Sequence, residues 1–185
     1  MTTPSSGTEK YLTNFAHQTT EDWEIVNDGV MGGCSQSLLV KDDDCAVFTG
    51  EISLENNGGF ASVRCRTSFD LSSHTHMKLS LKGDGKRYCF RLRTASRKTG
   101  EINRFSYDYR FVTKPDVWKW YLLPLNEFRP YFRGRALDDV APLDRSAIRQ
   151  IGFLISDKQE GKFKLHISQL CAAKLRSDDL SSSDR

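Results

Sequence analysis

The amino-acid sequence predicts an all-β fold, two antiparallel sheets packed face to face as a sandwich. Three observations predict it. Apolar and polar residues alternate with period two along much of the chain, the alternating runs are short, and clusters of Gly, Asn and Asp separate them. Those residues tolerate positive φ or close local hydrogen bonds, which is what tight turns between strands require.

Taken in order, the first strands are expected over residues 37–40, 46–54 and 60–66. Asp42-Asp43-Asp44 forms a hairpin tip between the first two, and Asn57-Gly58 fits the primed turn of a second hairpin. Met77, Leu79 and Leu81 then alternate against Lys78, Ser80 and Lys82. After Gly83-Asp84-Gly85, the residues Tyr88, Phe90 and Leu92 oppose Cys89, Arg91 and Arg93. Beyond Lys98-Thr99-Gly100, the aromatic set Phe105, Tyr107, Tyr109 and Phe111 opposes Arg104, Ser106, Asp108 and Arg110. Aromatic and branched residues mark three later strands at 118–123, 148–156 and 163–170. Trp118 and Trp120 share parity, and one face of their strand is expected to be core. Residues 125–128 fit one helical turn after Pro124, and Asp144 can cap a short turn reaching Ile148. Residues 129–142 carry two prolines and little alternation, and read as an ordered surface loop anchored by Tyr131 and Phe132. Trp23, Val63, Leu79, Phe90, Leu92, Phe153 and Phe163 are expected in the core.

At 185 residues the chain suits one domain, placed at 13–172 between Ser-rich ends, 1–12 and 173–185, whose composition predicts disorder. A net charge of +3 is too small for a nucleic-acid binder, and no apolar run approaches the roughly 20 residues that span a bilayer. Without a signal peptide or presequence pattern in its first residues, the chain is expected to be cytoplasmic. Five cysteines with no Cys-x-x-Cys pair suggest reduced thiols, not a disulfide framework or a zinc site. His74 and His76 find no carboxylate or cysteine at a ligand spacing and are expected in solvent. Neither a catalytic set, a metal site nor a cofactor motif emerges, so a binding protein is expected and not an enzyme.

Three local features could still carry binding. Trp23 to Gly33 lacks the spacing of a phosphate loop; its glycines suit a tight, irregular lead into a strand, with Asp28 as a polar contact at the sandwich edge. Asn56 and Asn57 are amides that could read hydroxyl groups. Alternation also puts Arg91 and Arg93 on one face, joined by Ser106 and Asp108 if their strands form a hairpin, with Arg64 and Lys119 as further members. Such a face could accept an acidic or hydroxyl-rich partner, or be a solvated ion-pair surface.

Several segments together resemble the complex I intermediate-associated protein family. They are Trp23 with Val26-Asn27-Asp28-Gly29-Val30-Met31-Gly32-Gly33, then Ser53-Leu54-Glu55-Asn56-Asn57-Gly58-Gly59-Phe60, Arg91-Leu92-Arg93, Phe132-Arg133-Gly134, Ile151-Gly152 and Asp157-Lys158-Gln159. The resemblance implies a galactose-binding-like jelly roll and a non-enzymatic assembly factor of NADH:ubiquinone oxidoreductase or another multisubunit membrane complex. It adds Tyr107, Arg133, Asp157 and Lys158 to the candidate binding residues. A protein partner, such as a subunit or assembly intermediate, follows from it; a carbohydrate partner is the alternative, with Trp118, Trp120 and Tyr107 for stacking. Removing Arg91 or Arg133 is then expected to weaken capture and leave thermal stability nearly intact.

Overall fold

The structure, a computed structural model, describes residues 9–175. Two antiparallel sheets face each other. One contains β1 (Glu9–Asn14), β3 (Gln36–Asp42), β4 (Cys45–Ile52), β6 (His76–Lys82), β9 (Trp118–Pro124) and β13 (Gly161–Ala173), in the order β3-β4-β13-β6-β9. The long β13 shares one of its edges between β4, up to Ile167, and β1, from Gln169 onward. The second sheet contains β2 (Trp23–Asn27), β5 (Ala61–Phe69), β7 (Arg87–Thr94), β8 (Ser106–Val112), β10 (Arg129–Phe132), β11 (Arg135–Ala136) and β12 (Ile148–Ile155), in the order β11-β10-β8-β7-β12-β5-β2.

Alternation puts one side chain in two into the space between the sheets. Met77, Leu79 and Leu81 from β6 meet Phe90 and Leu92 from β7 and Phe153 from β12, all fully buried. Phe90 and Phe153 pack edge to face with ring centroids 5.0 Å apart, the arrangement that the ring quadrupole favours. Trp23 is half-buried and packs on the rim of this core, against Phe15.

Some expectations need correction. Strand β1 begins at Glu9 and β13 runs to Ala173, so residues 9–12 and 173 are paired strand and not tail. The disorder expected over 1–8 and 176–185 falls outside the described residues. Asn57-Gly58 does not close a hairpin, because β4 and β5 lie in different sheets; residues 55–57 make a 3-10 turn that carries the chain across, with Asn56 and Asn57 at φ of 54° and 59°. Residues 129–136 are not a loop: β10 and β11 form a short hairpin that extends the second sheet beyond β8, and its Arg133-Gly134 turn has φ of 49° and 77°. Pro130 is tolerated there because the strand is only four residues long and close to the sheet's edge. His74 and His76 are buried beneath the 70–75 turn, not solvated, and burial lowers both pKa values. Residues 125–127 form a hydrogen-bonded turn and not a helix, whereas Asp144 does cap the 3-10 turn Arg145–Ala147 by accepting from Ser146 N.

Candidate partner-binding groove

The outer face of the second sheet carries a row of arginines. Register places Gly152 of β12 between Arg64 of β5 and Arg91 of β7, and Arg91 directly opposite Asp108 of β8. One step along, Gln150 lies between Arg66 and Arg93. Glycine is required at 152 because a Cβ there would come within 2.5 Å of the Val63 carbonyl oxygen. With no side chain at Gly152, Arg64 and Arg91 on either side border an open stretch of floor.

Two banks rise from that floor. The 3-10 turn Asp28–Met31 supplies one, presenting Met31 at 64% exposure; the β10–β11 hairpin supplies the other, with Phe132 and Arg133 at its tip. Between them lies a groove of about 470 Å³. Val26, Phe60 and Leu154 give it apolar wall, and Arg64, Arg91, Arg93, Arg104, Arg110 and Arg133 all line it.

The arginines divide into two sets. Arg91 donates two hydrogen bonds to the Asp108 carboxylate, from Nε at 3.1 Å to Oδ1 and Nη2 at 2.9 Å to Oδ2, and Ser106 Oγ donates to the same carboxylate at 2.6 Å. Burial alone would lower the Arg91 pKa, but Asp108 outweighs it and keeps the guanidinium charged. Arg64 pairs with Glu24 at 2.9 Å on the open rim, and Arg110 lies 3.7 Å from Asp157 while its guanidinium covers the Tyr131 ring at 4.6 Å. The second set, Arg93, Arg104 and Arg133, meets no carboxylate within ion-pair distance among the described residues. Arg93 instead donates to the Asn103 carbonyl and, at 3.1 Å, to Gln150 Oε1. Its pKa is lowered by burial first and then by Arg64, Arg91 and Arg66 around it.

The remaining candidates are placed elsewhere. Asp28 is fully buried, and its carboxylate accepts from Ser35 N (2.9 Å), Ser35 Oγ (2.5 Å), Gly59 N (2.6 Å) and Phe60 N (3.3 Å). Burial pushes its pKa up, and these donors outweigh that to hold it below the ordinary carboxylate value. Asp28 is therefore a stitch between the β2–β3 and β4–β5 crossovers, beneath the Met31 bank, and not a surface contact. Asn56 Nδ2 donates to the Gly32 carbonyl at 3.2 Å and latches the same two loops together. Tyr107 points into the core, and its hydroxyl donates to the Ala141 carbonyl at 2.7 Å, so it is not available for stacking. Asp108 is buried under Arg91. Asp157 lies on the groove wall, whereas Lys158, exposed at φ 56° in the next turn, is outside it. Lys119 belongs to β9, in the opposite sheet.

Sequence reasoning missed Arg104, Arg110, Tyr131 and Gln150 as groove residues. Arg110 shares the parity of Asp108 on β8, and that alternation could have included it. Trp118 and Trp120, offered by the sequence for stacking, are 45% and 40% exposed: they stand on the outer face of the first sheet beneath Lys82 and Lys78, away from the groove, and the core face of β9 is that of Tyr121 and Leu123. Among the described residues no cluster of His, Cys, Asp and Glu is arranged to hold a metal ion, and no helix is long and apolar enough to cross a membrane.

Residues 13–167 match the family described as Complex I intermediate-associated protein 30. A Mus musculus protein named "Complex I intermediate-associated protein 30, mitochondrial" is 26% identical over 165 residues, covering 80% of this chain and 50% of its own length. Its Neurospora crassa namesake is 25% identical over 144 residues, covering 69% and 51%. An uncharacterised Schizosaccharomyces pombe protein is 28% identical over 173 residues, covering 82% and 78%. The chain thus spans about half the length of the two named relatives. Their mitochondrial designation overturns the expectation of cytoplasmic residence. Among solved structures, the family 11 carbohydrate-binding module of a Clostridium thermocellum cellulase superposes with a TM-score of 0.70 at 17% identity, over 92% of this chain and 97% of the module. An agarase superposes with a TM-score of 0.62 at 12% identity, over 95% of this chain and 26% of the enzyme. Identities this low show the shared β-sandwich fold alone.

Proposed function

The chain belongs to the Complex I intermediate-associated protein 30 family, and from that premise we propose that it is a non-catalytic docking domain that holds a subunit or assembly intermediate of NADH:ubiquinone oxidoreductase in its groove. The observation that carries this reading is the arginine-lined groove with exposed apolar residues on its banks, Met31 on one and Phe132 on the other. Apolar anchors beside preorganised arginines are what protein interfaces concentrate. A neutral sugar fits less well. Tyr131 and Phe132 are the aromatic side chains at that bank, and each already has a guanidinium over its ring, Arg110 at 4.6 Å and Arg133 at 5.4 Å.

The test is complementation. Cells lacking this protein are expected to accumulate partial complex I on native gels, and the wild-type chain to restore the full complex. Arg133→Ala combined with Met31→Ala removes one contact from each bank and is expected to fold normally, fail to capture the subunit and fail to restore assembly. Full assembly in the deleted cells would remove complex I as the client. Full rescue by the folded double variant would remove the groove as the docking face.

A further inference from the structure

The groove also indicates the chemistry of what it holds. Three of its six arginines are matched by carboxylates, Glu24, Asp108 and Asp157, and among the described residues the other three are not, which leaves a local excess of positive charge. Arg93 is the focus of that excess. It is half-buried, held by a carbonyl and an amide oxygen that orient the guanidinium without neutralising it, with Arg91 two residues away on its own strand and Arg66 two strands over, across Gln150. Strands lie about 4.8 Å apart, so the backbones at Arg64 and Arg91 stand two strand spacings, roughly 10 Å, apart across Gly152, and their forks turn outward to Glu24 and Asp108, leaving the floor beside Arg93 open. A half-buried guanidinium without a carboxylate is unfavourable until an anion arrives, and an anion that does arrive meets donors already fixed in direction.

Resting on the groove as the docking face, we infer that the docked partner segment is acidic and extended, with a carboxylate seated on Arg93 and apolar side chains against Met31 and Phe132. The apolar banks select a peptide over an inorganic or sugar-borne anion, because an acidic glycan offers nothing to bury against the Met31 side chain. The segment alternates carboxylate and apolar residues as a strand does, one set facing the arginine floor and the other the banks.

The experiment uses the full chain and three labelled probes: a peptide alternating glutamate and leucine, its glutamine-for-glutamate counterpart, and hexagalacturonate. Fluorescence anisotropy is expected to show binding of the acidic peptide, weakened roughly tenfold or more by Arg93→Gln and by raised salt, with the other two probes far weaker. Arg104→Gln, on an exposed side chain, repeats the charge change where folding is not at risk and is expected to weaken binding in the same direction. Lys82→Gln removes one positive charge from the opposite sheet and is expected to leave binding unchanged. Equal loss with Lys82→Gln, or equal binding of the glutamine peptide or of hexagalacturonate, would overturn the inference. If the acidic peptide does not bind while the double variant of the two banks still abolishes capture, the acidic-segment inference fails and the groove reading stands. If capture ignores the banks altogether, the groove reading itself fails.

Discussion

Asp28 and Asp108 are both buried aspartates on the second sheet's side of the molecule, and they serve opposite ends. Asp28 is satisfied by backbone N–H groups and one hydroxyl, all from the two crossovers it joins, so its charge is spent inside the fold. Asp108 is satisfied by Ser106 and by Arg91, whose side chain is 28% exposed and reaches the groove. One carboxylate fixes loops; the other fixes a cation at the surface. The difference lies in whether the neutralising group touches solvent, and it separates residues that stabilise from residues that present.

The contrast can be broken most directly at Asp28. Asp28→Asn replaces an acceptor by an amide that cannot serve all its donors, and each unsatisfied buried group costs about 1–3 kcal/mol, so a loss of about 3 kcal/mol is expected in urea titration. Glycines at 33 and 58 approach that carboxylate so closely that an added Cβ would lie 2.4 Å and 2.6 Å from its atoms, leaving little room for the site to adjust. Asp108→Asn is expected to cost less, about 2 kcal/mol, because Arg91 can turn toward water, but it should also weaken partner capture. Equal capture by the two variants at equal folded fraction would erase the distinction. For the same reason Arg91→Ala is not a clean probe of binding: it strands a buried carboxylate, so stability falls with capture, contrary to what the sequence suggested. Arg133, exposed and without a carboxylate, is the cleaner one.

The smallest effect comes from histidines outside both sites. Burial lowers the pKa of His74, near Lys10 and Asp70, and of His76, near Arg145 and Glu127, below the ordinary 6.5. It does the same for His166, near Lys82, Lys164 and Asp42. As pH falls below about 6.5 the unfolded chain takes up protons before the folded one, so stability is full above that value and declines beneath it. Melting temperature is expected to fall between pH 7 and pH 5, and His76→Gln to flatten the fall. An unchanged profile would show that these rings are protonated alike in both states.

Much of the sandwich is legible in the sequence because a half-buried strand writes itself as alternation. Met77-Leu79-Leu81 and Tyr88-Phe90-Leu92 pointed inward as expected, and the same parity put Arg91, Arg93 and Asp108 together outside. Parity does not say which sheet a strand joins. Asn57-Gly58 therefore looked like a hairpin when it bridges two sheets, and Lys119 looked like a neighbour of Arg91 when it lies on the far side. Nor does it reveal a polar residue's burial: Asp28 and Tyr107 are satisfied by partners distant along the chain, and His74 and His76 by the hydroxyls of Ser73 and Thr75 beside them. The β10–β11 hairpin was hidden by its length, too short to alternate visibly.

Both sheets have a late segment of the chain in their interior, β13 between β4 and β6 in one and β12 between β7 and β5 in the other. During synthesis, β4, β6, β5 and β7 leave the ribosome before the strands that will meet their edges. Neither sheet closes until residue 148 and beyond have emerged. Contacts this distant along the chain form slowly and leave strand edges open to wrong pairing meanwhile. The two sheets thus wait on the same late stretch of chain, and a product truncated before β13 is expected to expose the edges of β4 and β6 and to aggregate instead of folding as a smaller domain.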